Sequence, residues 1–417
     1  MKLGLVGDIH ANEGLHLGKV NPETGRNSKL EDLIVSWAWT VNEFRARGVS
    51  EIVLLGDLFD NANPSSLART VFSEMVDYAS HHGVKRIYVE IGNHDLDSKK
   101  GTICFSDLAL WTGLSDNPRC AFSWGKYPYD IFYDWQNGVV LFFLPYYPPS
   151  RKEEAHKALQ EIEKWDPAWI AGTPKPIVKK YLFLHDQVEG ALVGNGQILG
   201  EDILPSSWIN FDYYDRIVVG HVHQAQVLYK GKVVYVGSFH RTDLAETKED
   251  KCVGVLDLET SAIEKIVIPH PLNRNIIRLD IHLTDKQDEQ VWNGKPITLD
   301  GSLVKVGLLG YSPEDWKGAT VSVTTTGTRS QVTSLPRKKL ADFLYDKLGV
   351  FYLVGGIVTN IEEENPIEGA LDPSIPITVL DLLREAIRRE EKDKAKADAL
   401  LQKGIEYLNT AKEKKKS

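Results

Sequence analysis

Cysteine is scarce in this chain, and the three present, Cys104, Cys120 and Cys252, stand far apart with no CxxC or CxxxC spacing. That excludes a zinc knuckle and a disulfide framework, and it points to a reducing compartment. No stretch reaches the ~18 apolar residues that a membrane helix needs, and the apolar run after Met1 is too short for a signal peptide. A soluble, cytoplasmic protein with no membrane attachment is expected. Positive charge is in deficit as well: 49 Lys and Arg face 58 Asp and Glu, a formal net charge of -9. This argues against a protein that coats nucleic acid by bulk attraction, though not against a local basic surface. Internal repeats and low-complexity tracts are also lacking.

What is present is length and rhythm. A chain of 417 residues is long enough for two or three domains and a sizeable core. From Met1 to Pro269, strand-type runs alternate with helix-period segments such as Lys29 to Arg47 and Ser65 to His82. The alternation predicts an α/β fold with a mixed or parallel sheet covered by helices. A charged helix is expected over Arg151 to Lys164. Val227 to Val236 reads as a hairpin around Lys230-Gly231, continued by Cys252 to Leu258 and Ala262 to Ile268 as a second sheet layer. These elements define a first domain, 1–269.

A second, smaller α/β domain, 270–360, is expected from strand-like runs at Asn275 to Leu283, Leu303 to Leu308, Ala319 to Thr325 and Phe351 to Thr359. A helix from Arg337 to Lys347 lies between the last two. Residues 361–375 form an acidic, Pro- and Gly-bearing linker. In 376–417, Ile377, Leu380, Leu383 and Ile387, then Leu400, Leu401, Ile405 and Leu408, recur at helical spacing. Such amphipathic helices either pack back on the preceding domain or dock a partner.

Five polar clusters punctuate the first domain: Asp8-Ile-His10, Gly56-Asp57-Leu-Phe-Asp60, Gly92-Asn93-His94-Asp95, Leu184-His185-Asp186 and Gly220-His221-Val-His223. Each ends a strand-type run, and in open α/β folds the carboxyl ends of strands are where ligands gather. Carboxylates mixed with imidazoles suit manganese, iron or zinc better than magnesium or calcium. Only a carboxylate among these groups readily bridges two ions, and Asp57 is the best placed. Two ions ~3.5 to 4 Å apart lower the pKa of a shared water by several units, which favours in-line attack on phosphorus. The departing alkoxide needs a proton, and His94, beside a ligand yet not needed as one, suits that task.

Taken alone, each cluster has a bland reading as a turn or a satisfied histidine. All five in this order resemble the signature of the calcineurin-like metallophosphoesterase superfamily: D-x-H, GDxxD, GNH[DE], a lone His and GHxH. That family's fold is a β-sandwich with flanking helices. The resemblance implies that Asp8, His10, Asp57 and His223 hold one metal, that Asp57, Asn93, His185 and His221 hold the other, and that His94 is the proton donor. Within the superfamily the chain looks like the SbcD-type nuclease component of double-strand-break repair complexes. Leu15-His-Leu-Gly18, Gly56-Asp-Leu-Phe, Val236-Gly-Ser-Phe-His-Arg-Thr-Asp-Leu-Ala-Glu and the layout after Pro269 carry that likeness. It implies manganese, DNA as substrate cut by exonuclease and endonuclease action, a small capping domain, and homodimerisation through helices of the first domain. It further implies that the C-terminal helices bind an SMC-like coiled-coil ATPase of the SbcC type.

Two departures stand out. Where SbcD-type members carry His at the end of the second motif, this chain has Asp60, as phosphatases of the superfamily do. The expectation is an acid-histidine pair in which Asp60 orients His94, and a phosphoprotein phosphatase or another phosphodiesterase is the alternative function. His16 is displaced downstream of the first motif, so it is either a DNA-side residue or a surface histidine. Arg241 either contacts a phosphate through its planar fork or forms an ordinary salt bridge to Asp243 or Glu246.

Overall fold

A computed structural model describes residues 1–12, 17–97, 102–103, 120–122, 128–134, 136–165, 179–193, 202–247, 249–270, 272–283, 289–292, 295–298, 311–361 and Lys403. The chain divides into two compact units, Met1–Ile361 and Glu362–Ser417. The linker expected over 361–375 and the helices expected over 376–417 lie outside the described residues, apart from Ile361 and Lys403. No helix among the described residues is long and apolar enough to cross a membrane.

The chain begins β1 (Lys2–Val6), α1 (Ser28–Ala46), β2 (Glu51–Leu54), α2 (Ser66–His81) and β3 (Arg86–Val89). Then come β4 (Cys120–Phe122), β5 (Asp130–Asp134), β6 (Val139–Leu144), α3 (Lys152–Ile162), β7 (Lys179–His185) and β8 (Arg216–Gly220). The hairpin β9 (Gln226–Leu228) and β10 (Val233–Tyr235) is followed by β11 (Cys252–Asp257) and β12 (Ile263–Val267). Two six-stranded sheets result, in the orders β12-β11-β1-β2-β3-β4 and β9-β10-β8-β7-β6-β5. In each sheet four strands run parallel, β1 to β4 in one and β6, β7, β8 and β10 in the other. The five clusters therefore emerge at carboxyl ends of parallel strands.

The helices form where apolar residues recur every three or four positions behind a cap. In α1 the Asn27 side chain accepts from Lys29 N, and Leu30, Leu33, Trp37, Val41 and Phe44 are buried against the first sheet. In α2, capped by Ser65, the buried stripe is Ala68, Val71, Phe72, Met75 and Ala79. On the far side α3 buries Ala155, Ala158, Leu159 and Ile162 against the second sheet. The inner faces of the two sheets meet through Leu3, Leu5, Val53, Leu55, Phe143, Phe183 and Val218, all buried. Phe143 and Phe183 stack there with centroids 4.9 Å apart. Phe143→Ala, which opens a cavity between two sheets that cannot collapse, is expected to cost about 3–5 kcal/mol in urea unfolding.

The segments Cys252 to Leu258 and Ala262 to Ile268 do not extend the hairpin's sheet. They pair antiparallel at the far edge of the first sheet, with β11 against β1. The reason is burial on two sides: Val253 and Val255 face the helix layer, while Leu256 faces the opposite sheet.

A third, five-stranded sheet follows in the order β15-β14-β13-β16-β17, made of β13 (Ile276–His282), β14 (Glu289–Trp292), β15 (Lys295–Thr298), β16 (Thr320–Gly327) and β17 (Tyr352–Ile361). Three of its strands match expected ones, the hairpin β14-β15 is additional to them, and the run Leu303 to Leu308 lies outside the described residues. Ile277, Leu279 and Ile281 point to one face and pack with Val332, Leu340, Phe343 and Leu344 of the covering helical segments, whereas Arg278, Asp280 and His282 are exposed. This sheet is tied to α1 by the two-pronged pair of Arg274 with Asp32, at 2.7 and 3.0 Å.

Candidate metal centre

The five clusters converge in one place, although their strands belong to two sheets. After β1, buried Asp8 accepts the N–H of His221 through Oδ1 at 2.8 Å, and its other oxygen is buried with no hydrogen-bond partner among the described residues. His10 Nε2 lies 3.0 Å from His223 Nε2 and 3.6 Å from the Asp57 carboxylate. Asp57 Oδ2 is also 3.3 Å from His185 Nε2. Asn93 Oδ1 lies 3.1 Å from that nitrogen and 2.8 Å from His221 Nδ1. Three groups of donors adjoin, Asp8 with His10 and His223, Asp57 with His185 and His221, and His10 with Asp60 and His94, and the first two meet at Asp57.

The backbone is strained to achieve this. His10 and Asp57 both have φ 48°, and His221 has φ 79°, left-handed values that non-glycine residues rarely adopt. Gly56 has φ 92°, and a Cβ on it would strike the His185 ring. A Cβ on Gly220 would strike the Leu55 carbonyl, so the glycine positions answer to close approach as well as to turning.

Charge in the pocket favours bound cations. Burial opposes protonation of His185, yet Asp57 and then Asp8 push its pKa up to about 10. Against the effect of burial, His185 and His10 hold Asp57 far below the usual carboxylate range. Burial and the neighbouring His185 charge lower His221 to about 3. Lone pairs facing one another at these distances, with an orphaned Asp8 oxygen among them, are what divalent ions satisfy. The donor set fits a pair of transition-metal ions.

His94 sits at the edge of this set. Its N–H donates to Asp57 Oδ1 at 2.9 Å and its Nδ1 donates to the Asp60 backbone carbonyl at 2.7 Å. A carbonyl only accepts, so Nδ1 carries hydrogen and Nε2 is left to exchange a proton. The expected acid-histidine pair is therefore corrected: the peptide of Asp60, not its carboxylate, holds His94. The carboxylate instead accepts from Asn12 at 2.7 Å and lies 3.5 Å from His10 Nδ1, which draws its pKa down.

Arg241 is also corrected. It is only 5% exposed, and its donors go to the carbonyls of Glu246, Asn273, Arg274 and Glu249 and to the Asn273 side chain. Each nitrogen of the fork is thus engaged by a protein acceptor, and among the described residues neither Asp243 nor the Glu246 carboxylate forms an ion pair with it. Arg241→Met would strand these buried acceptors, and a stability loss of at least about 2 kcal/mol is expected in denaturant unfolding. His16 lies outside the described residues.

The motif reading assigns no role to three residues near the site. Asp95 accepts from Leu58 N at 3.0 Å and Gly92 N at 2.9 Å, joining the loops that carry Asp57 and Asn93. Burial and the Asp57 charge raise it to about 8. Tyr146 stacks on His221 at 6.0 Å and donates to Asp202. It follows β6, so the carboxyl-end rule alone could have found it. Glu246 lies 2.6 Å from His223 Nδ1; it closes the Val236 to Glu246 motif, but the motif does not point it at His223.

The calcineurin-like phosphoesterase family model matches residues 1–225. The SbcD component of nuclease SbcCD from Escherichia coli (strain K12) is 23% identical over 291 residues, which are 63% of this chain and 70% of that protein. DNA double-strand break repair protein Mre11 of Methanopyrus kandleri is 23% identical over 263 residues, 60% of this chain and 51% of that protein. Among solved structures, an archaeal phosphodiesterase is 13% identical with a TM-score of 0.29, over 64% of this chain and 99% of its own. With a family model spanning more than half its length and that family's donor groups brought together, the chain belongs to the calcineurin-like phosphoesterases.

Proposed function

We propose that the chain is a manganese-dependent DNA nuclease, acting as exonuclease and endonuclease on DNA ends together with an SMC-like coiled-coil ATPase of the SbcC type. The observation that carries the hydrolytic part is the Asp57 carboxylate lying within 3.6 Å of His10 and 3.3 Å of His185, between two donor groups. In this reading Asp8, His10, Asp57 and His223 hold one ion, and Asp57, Asn93, His185 and His221 the other. Bound there, the pair supplies an acidified water and neutralises phosphate charge. His94, locked by the Asp60 carbonyl, delivers a proton from Nε2 to the leaving oxygen. The choice of DNA is supported by the two relatives, a nuclease component and a double-strand-break repair protein. The net charge of -9 is compatible with it, because bound ions and a partner can provide the positive surface.

The rest of the assignment follows the same likeness: 1–269 as nuclease domain, 270–360 as capping domain, 361–375 as linker and 376–417 as ATPase-binding segment, in a cytoplasmic homodimer. Removing residues after Asp372 is expected to abolish co-purification with the ATPase while sparing metal-dependent hydrolysis of simple phosphodiesters. The alternative, a phosphatase or small-molecule phosphodiesterase, is favoured by one observation, the Asp60 carboxylate 3.5 Å from His10.

The deciding experiment compares single- and double-stranded DNA, a phosphopeptide and a cyclic nucleotide as substrates with manganese, before and after chelation. DNA cleavage that stops on chelation and returns with manganese is expected. Intact DNA, with and without the ATPase, together with turnover of the phosphopeptide or cyclic nucleotide, would reject the nuclease reading in favour of the alternative.

A further inference from the structure

Behind the metal-facing side of His223 lies a buried, fully connected polar unit. Glu246, 5% exposed, places one carboxylate oxygen 2.6 Å from His223 Nδ1, and the same oxygen accepts from Thr242 Oγ1 at 3.0 Å. Its other oxygen accepts from Thr242 N at 3.1 Å and from Lys251 Nζ at 3.0 Å. Lys251, 2% exposed, also donates to the His223 backbone carbonyl at 3.2 Å. Arg241 Nε donates to the Glu246 carbonyl at 3.1 Å, which fixes the backbone of the same residue.

An ionised carboxylate only accepts, so His223 Nδ1 must carry hydrogen and Nε2 must present its lone pair. That nitrogen is the one 3.0 Å from His10 Nε2, on the side of Asp8 and His10. The other ligand imidazoles differ: His185 Nδ1 donates to the Leu55 carbonyl at 2.6 Å, His221 Nδ1 lies 2.8 Å from the Asn93 amide oxygen, and His10 Nδ1 is 3.5 Å from Asp60, beyond a normal hydrogen bond. Among the described residues His223 is thus the ligand candidate with a hydrogen-bonded carboxylate behind it. A carboxylate in that position fixes the ring's tautomer and raises its basicity as a ligand.

We infer that Glu246, held by Lys251 and Thr242, is a positioning residue that sets the tautomer of His223 and so strengthens one of the two ion positions. The inference rests on the two-ion reading of the site. It makes an uncommon demand of the isosteric variant Glu246→Gln. Lys251 Nζ and Thr242 N both require an acceptor, so they claim the amide oxygen and turn the NH2 group toward His223. With that NH2 group at the shorter contact and the Thr242 hydroxyl, 3.2 Å from Nδ1, no longer donating to Glu246, both neighbours can donate to Nδ1; the ring proton then moves to Nε2, and the nitrogen that should face the ion is blocked. A residue that merely fills space would tolerate this substitution.

The test is calorimetric titration of the full chain with manganese alone, for wild type, Glu246→Gln and Glu246→Ala, beside thermal unfolding without metal. Wild type is expected to bind two ions. Glu246→Gln is expected to bind one with wild-type affinity and the other about 10- to 100-fold more weakly, while unfolding within a few degrees of wild type. Both ions bound by Glu246→Gln as in wild type would overturn the inference, as would a lowered unfolding temperature with unchanged affinities. Should Glu246→Ala fail to fold, Glu246→Gln decides alone. A wild-type protein that binds no manganese would instead remove the two-ion reading, which is a different failure.

Discussion

Asp57→Asn is expected to lower turnover on any phosphodiester substrate by about a thousandfold or more and to end the binding of two ions per chain. The magnitude follows from the several kcal/mol that a metal pair contributes to transition-state stabilisation, at about 1.4 kcal/mol per factor of ten. One Asp57 oxygen approaches an imidazole Nε2 from each donor group, His10 at 3.6 Å and His185 at 3.3 Å. An amide in its place has one oxygen and no charge, so it can neither span two cations nor balance them. The fold should survive, because Asn can still accept the His94 N–H that Asp57 takes at 2.9 Å. Calorimetry with manganese and steady-state kinetics on one preparation check both parts. Two ions bound with turnover within tenfold of wild type would show that the bridge lies elsewhere.

His94→Ala should separate binding from chemistry. Both ions are expected to bind as in wild type, while turnover falls about a hundred- to ten-thousandfold, the usual contribution of a positioned acid or base. The separation is expected because the bond from His94 to the Asp57 carboxylate comes from its backbone N–H, while its ring is held by the Asp60 carbonyl and lies edge-on to His10 at 4.9 Å. Removing the ring leaves that backbone bond in place. The deficit should shrink on a substrate with an acidic leaving group such as p-nitrophenol, since that group departs without protonation. An equal loss on alkyl and nitrophenyl esters, or loss of an ion with the ring, would refute the proton-donor role.

The motifs that define the site are legible because their spacing is local. Asp8 and His10, or His221 and His223, lie two residues apart just after a strand, and so short a spacing is visible in any window. The apolar stripes of α1 and α2 are legible for the same reason. The errors share the opposite property. Which edge takes β11 and β12 depends on pairing with β1, some 250 residues away. The motifs rightly bring Asp60 and His94 close, but whether the carboxylate or the peptide carbonyl meets the ring is a matter of ångströms. Arg241 reads as a phosphate contact or a salt bridge, and only the packing of Asn273 and Arg274 against it shows that the fork is turned to backbone acceptors.

By itself, the sequence determined the α/β class, the strand ends that carry ligands and the types of donor available for a metal pair. Chemistry of that kind is written in residue identity and short spacing. Tertiary structure alone decided that donors from two sheets converge at one Asp57, that three candidate ligand residues take left-handed backbone angles, and that Glu246 stands behind His223. Those facts depend on contacts between residues far apart in the chain. Such contacts form only when burial of the sandwich core offsets the entropy of bringing those segments together.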